Sequence, residues 1–206
     1  MKKRGDKEVR GMGALRRELS EVSRRAFLRG LVTATGGNMS VRVPGTGKIL
    51  VTPSGISLEE VDPKTNILVD FEGKILSSSG ELKPSKETSF HLSVYRLRPD
   101  VGAIAHFHPP YATAYSNKGK PLPLATISSR VILKEVPWVE CAIPGSKELC
   151  DFVSDGIVRY PGVKVLLMKE HGVLALGPDL KAAYYLADLV EATAKIAFIE
   201  ENIRTP

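Results

Sequence analysis

The triplet His106-Phe107-His108 closes the apolar run Val101-Gly102-Ala103-Ile104-Ala105 and runs directly into Pro109-Pro110. Alternate residues of a strand point to one face, so both imidazoles would project the same way. In a helix the same pair would sit about 200° apart and could not share an ion. His171 stands in an equivalent place, after Val165-Leu166-Leu167-Met168 and before Gly172-Val173-Leu174-Ala175-Leu176, so two strand ends carry three of the chain's 4 histidines. A histidine-rich set that leaves one position open is what a catalytic zinc takes, whereas a structural zinc would usually draw on cysteine thiolates. The plain alternative is that each imidazole packs or hydrogen-bonds alone.

A carboxylate completes the candidate chemistry. Pro84-Ser85 reads as a helix start, with Ser85 as N-cap and Lys86 to Leu97 carrying Phe90, Val94 and Leu97 on one side before Pro99 stops the run. Glu87 then falls in the first turn, where it either favours the helix dipole or faces the histidines. In the second case it can ligate the metal, act as general base, or do each in turn. His91, four residues on, reads as structural. Three polar turns suit an anion: Thr35-Gly36-Gly37-Asn38, Thr52-Pro53-Ser54-Gly55, and Ser85-Lys86 with its positive charge. Ordinary loop chemistry also explains each. No Walker or dinucleotide-binding fingerprint occurs.

The elements that must position these groups follow from periodicity. Leu15, Leu19, Val22, Ala26 and Leu31 recur at near-helical spacing between charged residues, which predicts an amphipathic helix from Met12 to Thr33, ended by Gly36-Gly37-Asn38 and preceded by a frayed basic tail over residues 1–11. Short extended segments at Ser40 to Val43, Ile49 to Thr52, Ile67 to Phe71 and Lys74 to Leu76 are separated by turn residues and read as antiparallel hairpins. After the strand ending at the histidines come a short helix from Pro110, strands near Pro137 to Ile143, a helix from Ser146 to Arg159, the His171 hairpin, and a last helix from Gly177-Pro178-Asp179 to about Ile203. With no repeat or low-complexity linker, residues 12–206 read as one mixed α/β domain.

Composition narrows the class. At 206 residues the chain can bury a large core without disulfides, and Cys141 and Cys150 are expected as free thiols. No apolar run is long enough to span a bilayer, and the basic start is followed by charges rather than a signal-peptide core, so a cytoplasmic protein is expected. The formal charge of +6 raises nucleic acid as a partner. The positive residues are scattered, however, and Arg16, Arg17, Arg24, Arg25 and Arg29 read as the solvated face of the first helix, so no nucleic-acid partner is expected. The absence of glutamine beside many charged residues is a pattern of heat-adapted proteins.

The ordered segments Thr35-Gly36-Gly37-Asn38-Met39-Ser40-Val41-Arg42, Thr52-Pro53-Ser54-Gly55, Pro84-Ser85-Lys86-Glu87, His106-Phe107-His108-Pro109 and Glu170-His171-Gly172 resemble the class II aldolase and ribulose-phosphate epimerase superfamily over about residues 12 to 203. The branch most resembled is that of the L-fuculose-1-phosphate aldolases. The resemblance implies a three-layer α/β/α domain with a largely antiparallel central sheet, assembled as a homotetramer with sites between subunits. It also implies one zinc per subunit on His106, His108 and His171, Glu87 as acid/base, and a phosphate site of Gly37, Asn38, Ser54, Gly55, Ser85 and Lys86. The substrate so implied is a phosphorylated ketose split into dihydroxyacetone phosphate and an aldehyde such as L-lactaldehyde. The chain departs from the pattern at Lys86, where these aldolases often carry serine, and in the Leu122 to Ile132 stretch, which lacks the tyrosine expected as proton donor. Glutamate at position 87 favours carbon–carbon cleavage over epimerisation. Methylthioribulose-1-phosphate dehydratase is the leading alternative, and a non-catalytic binding protein the most remote, because such a protein has no need to keep three histidines and Glu87 together.

Overall fold

The computed structural model describes residues 2–203, with side chains from residue 11 onward. Fourteen elements follow one another: α1 (Lys2–Leu28), β1 (Asn38–Val43), β2 (Lys48–Val51), β3 (Ile67–Asp70), β4 (Ile75–Ser77), α2 (Thr88–Leu97), β5 (Ala103–Phe107), α3 (Pro110–Ser116), α4 (Ile127–Leu133), β6 (Trp138–Val139), α5 (Lys147–Arg159), β7 (Val165–Met168), β8 (Gly172–Gly177) and α6 (Leu180–Asn202). The strands form one 8-stranded sheet in the order β4-β3-β2-β1-β5-β8-β7-β6. Every pairing is antiparallel except that of β6 with β7.

Strand alternation divides the core in two. Met39, Val41, Ala103, Ala105, Phe107, Val173 and Ala175 face one way and pack with Leu19, Val22 and Ala26 of α1, Ala112 of α3 and Ala183, Ala187 and Val190 of α6. Their neighbours Ile49, Val51, Ile104, Leu166, Met168 and Leu174 face the other way, onto Phe90 and Val94 of α2 and Leu149, Val153 and Ile157 of α5. A sheet buried on both faces explains why β5, β7 and β8 read as unbroken apolar runs. The result is the expected α/β/α sandwich around a largely antiparallel sheet.

Several local expectations need correction. The first helix stops at Leu28 and not Thr33, because Gly30 takes φ 76° and the Gly30 and Leu31 amides close back on Phe27 and Ala26 (2.9 and 3.0 Å) in a Schellman motif. Its backbone is continuous from Lys2, through most of the stretch read as a tail. Its arginines are also not simply solvated. Arg16 donates to the carbonyls of Pro63 and Asn66, Arg25 lies over the Tyr184 ring, and Arg29 pairs with Asp188 at 2.8 Å. The expected strands over Pro137 to Ile143 shrink to two residues, Trp138–Val139. Periodicity does not predict a helix near residue 130; α4 forms there on a capping box in which Thr126 and Ser129 exchange side-chain and backbone bonds.

Candidate active site

Three strand ends converge on the site. His106 lies within β5, opposite Asn38 of β1 in the register, and packs edge-on against Phe90 of α2 with ring centroids 5.5 Å apart. His108 lies just beyond the strand, its amide donating to Leu31 O at 3.1 Å. His171 occupies the β7–β8 turn, where Glu170 takes φ 55° and the His171 amide closes on Met168 O. Two glycines permit the approach of these turns. A Cβ on Gly172 would lie 2.2 Å from Phe107 O, and one on Gly36 would lie 2.9 Å from His108 Nδ1.

The expected convergence of His106 and His108 is present, and His171 joins it. The Nε2 atoms of His108 and His171 lie 2.9 and 3.3 Å from that of His106. Glu87 places Oε2 3.2 Å from His106 Nε2 and Oε1 3.1 Å from His171 Nε2. Residue 87 is not inside the first helical turn, however. The helix begins at Thr88, so Glu87 is the N-cap residue, and its side chain makes no capping bond. Ser85 is correspondingly not the N-cap; its hydroxyl accepts from the Glu87 amide at 3.3 Å and its carbonyl from Thr88 Oγ1 at 2.7 Å, a turn that delivers Glu87 to the histidines. A carboxylate serving only the dipole would have turned to the helix amides instead.

The donor set fits a metal ion. His106 Nδ1 contacts Val173 O at 3.0 Å. A carbonyl can only accept, so Nδ1 carries a proton, and the Nε2 lone pair is the ring's ligating position, turned toward the other imidazoles. Lone pairs so opposed need a cation or a shared proton between them. Ligand atoms about 2.0–2.1 Å from a tetrahedral divalent ion stand about 3.4 Å apart, close to the 2.9–3.3 Å separations found here. Burial pushes the His108 imidazole down to about 3, reinforced by His106 and His171, so the ring is neutral and able to ligate near pH 7. Burial works against charge on Glu87, but the interactions of its oxygens with the facing His106 and His171 imidazoles outweigh that and hold the carboxyl well below the usual carboxylate range.

The three polar turns come together beside this cluster. Pro53 bridges Pro84, the Ser54 amide donates to Lys83 O at 2.9 Å, and the Ser85 amide to Thr52 O at 3.2 Å. Those two amides are therefore committed, leaving the Ser54 and Ser85 hydroxyls, partly accessible, and the exposed Lys86 and Gly55 for a ligand. Gly37, at φ 75°, leads into β1, where buried Asn38 donates from Nδ2 to Glu87 Oε2 at 2.8 Å. That bond orients the carboxylate, a task not predictable for Asn38 from sequence because it depends on the pairing of β1 with β5. Behind it, His91 is fully buried as expected of a structural residue, with Nδ1 2.7 Å from Ser40 Oγ, which is 2.8 Å from Tyr95 Oη.

The chain is similar to known proteins over most of its length. The family model for the class II aldolase and adducin N-terminal domain matches residues 17–198. An L-fuculose phosphate aldolase of Methanococcus maripaludis is 30% identical over 187 residues, covering 91% of this chain and 98% of that one. A 5-methylthioribulose-1-phosphate/5-deoxyribulose-1-phosphate aldolase of Rhodospirillum rubrum is 34% identical over 88% of this chain and 79% of its own length. A 3-oxo-tetronate 4-phosphate decarboxylase of Pectobacterium atrosepticum is also 34% identical, over 89% and 84%. A solved L-fuculose 1-phosphate aldolase structure superposes with a TM-score of 0.84 at 31% identity, covering 94% of this chain and 91% of that one. With its fold and nearly its whole length matched, this chain belongs to the class II aldolase and adducin N-terminal domain family.

Proposed function

We infer that this chain is a zinc-dependent aldehyde-lyase, reversibly cleaving a 1-phosphorylated ketose into dihydroxyacetone phosphate and a short aldehyde, with L-fuculose 1-phosphate and L-lactaldehyde the favoured pair. The observation that carries this reading is the buried Glu87 carboxylate set 3.1–3.2 Å from two of three converging imidazoles. His106, His108 and His171 would hold one zinc per subunit. When bound, the ion supplies a Lewis acid for charge developing on substrate oxygens. Gly37, Asn38, Ser54, Gly55, Ser85 and Lys86 would receive the phosphate, with Lys86 supplying the positive charge and the two serine hydroxyls the directed donors.

Glu87 would move the proton at the nucleophilic carbon, taking it from the hydroxymethyl group of dihydroxyacetone phosphate in condensation and returning it there after cleavage. A carboxylate held as acidic as Glu87 is a weak base while it faces the histidines. Substrate entering between them separates the groups and raises its basicity, so ligand and base are roles taken in turn. The second proton, on the aldehyde oxygen, has no tyrosine donor in the Leu122 to Ile132 stretch. The free thiols Cys141 and Cys150 suit a reducing, cytoplasmic setting.

The relative named for 5-methylthioribulose and 5-deoxyribulose 1-phosphates favours those ketoses as a second reading. The deciding assay offers purified protein L-fuculose 1-phosphate, 5-deoxyribulose 1-phosphate and methylthioribulose 1-phosphate, with and without chelator. Chelator-sensitive release of dihydroxyacetone phosphate is expected. Water loss from the thio-sugar without carbon–carbon cleavage would establish a dehydratase instead, and full turnover in metal-free protein would overturn the zinc reading.

A further inference from the structure

Helix α3 has an unusual set of anchors. Its N-cap, Pro109, makes no side-chain capping bond, and Pro110 has no amide hydrogen to satisfy. The next two amides, Tyr111 and Ala112, donate to Oε1 and Oε2 of Glu191 at 3.1 and 2.8 Å. Glu191 lies far away in sequence, in the middle of α6, yet it serves as the cap that the local sequence does not provide. Both oxygens of one carboxylate on two adjacent amides at a helix N-terminus make a charge-assisted, orientation-fixing pair. At the other end of α3, the Oδ1 of its C-cap residue Asn117 accepts the Glu170 amide at 3.0 Å.

These anchors link the two histidine-bearing turns outside the sheet. His108 precedes α3 by a single proline, so the position of the helix sets the course of the chain leaving His108. Glu170, held at φ 55°, directly precedes His171, so the Asn117 bond fixes the turn that presents that imidazole. Moving α3 would therefore move both rings relative to His106, which is fixed within β5 by its bond to Val173 O.

We propose that Glu191 is a positioning residue for the metal centre, clamping α3 so that His108 and, through Asn117, His171 keep the separation that an ion between them requires. This inference rests on the reading that the three histidines bind a metal. The test titrates apoprotein with Co(II), whose visible absorption reports ligand geometry, and measures affinity by chelator competition. Glu191→Ala and Asn117→Ala should each weaken Co(II) binding by about tenfold, the lower end of what outer-shell changes cost, and should shift the absorption bands. Glu191→Gln, which keeps one acceptor oxygen, should fall between parent and alanine variant. Asp179→Ala is the control. It removes the N-cap of the same helix at the opposite end of the sheet, where Asp179 accepts from the Ala182 amide at 2.8 Å. It should lower the thermal midpoint and leave Co(II) affinity and spectrum unchanged. Parental Co(II) binding with Glu191→Gln and Asn117→Ala indistinguishable from it overturns the proposal, even where Glu191→Ala fails to fold. Absence of Co(II) binding in the parent overturns the metal reading itself.

Discussion

Glu87 is buried among groups that account for its charge and motivate the proposed role: Asn38 donates to one oxygen, and His106 and His171 face the carboxylate at 3.2 and 3.1 Å. Glu87→Gln preserves size while removing the base. Because general acid–base catalysis is commonly worth about 100- to 10,000-fold, turnover should fall by that order with phosphate binding largely retained. Hydrogen exchange at the nucleophilic carbon of dihydroxyacetone phosphate isolates the step, and parental exchange with metal still bound would exclude Glu87 as base. His91 gives a second, independent prediction. Burial, with a smaller push from His106, holds its imidazole down at about 3 against an ordinary 6.5. The unfolded chain therefore binds more protons between those values, so this contribution to stability is complete above about pH 6.5 and is lost as pH falls toward 3. At pH 5 the loss is roughly 2 kcal/mol. Urea unfolding of the apoprotein should show a lower midpoint at pH 5 than at pH 7. His91→Phe should weaken the protein at pH 7, because Ser40 loses one of its two buried partners, yet flatten the pH slope; an unchanged slope would locate the acid sensitivity elsewhere.

The elements were legible in the sequence where periodicity is produced by burial, and less so where a distant residue sets the boundary. The paired runs before His106 and His171 are legible as strands because both sheet faces are covered. The start of α2 was misplaced by two residues, since Ser85 makes a turn that resembles a cap in sequence. The Asn38–Glu87 and Glu191–α3 bonds were invisible, because they join residues 49 and about 80 positions apart. Gly172 shows how tightly the elements fix the site. An added Cβ would meet Phe107 O at 2.2 Å and His108 Cδ2 at 2.9 Å, forcing β8 away from the end of β5. Gly172→Ala should therefore cost roughly 1–3 kcal/mol by overpacking and should also weaken metal binding. Gly45→Ala is the comparison: φ is 70° there but no atom lies within 4 Å of the added carbon, so only backbone strain, about 1 kcal/mol, is expected, without effect on the metal. Equal effects of the two substitutions on metal affinity would show that contact at the β5–β8 end is not what matters.

Large apolar side chains remain uncovered on both helical layers, and on one of them they form same-face pairs on α4 and α6. Ile127 and Val131, one turn apart on α4, are 74% and 67% exposed, and α6 leaves Ile196, Phe198 and Ile199 at 38%, 47% and 46%. Residues three or four apart share a helix face, and uncovered large aliphatic groups in such pairs are costly unless another surface meets them. Covering them with copies of the same chain is the simplest solution, since closed symmetric assemblies of identical chains dominate soluble oligomers. The homotetramer expected from the family resemblance is thus a prediction with a physical motive, and light scattering should give four chains per particle. Ile127→Asp with Val131→Asp should shift that mass downward while leaving far-ultraviolet circular dichroism unchanged, because neither side chain belongs to the core. The accompanying activity locates the missing proton donor. If smaller particles retain metal and the hydrogen exchange that depends on Glu87 but lose carbon–carbon cleavage, the donor comes from a neighbouring subunit. A fully active monomer would refute both the shared site and the need for the assembly.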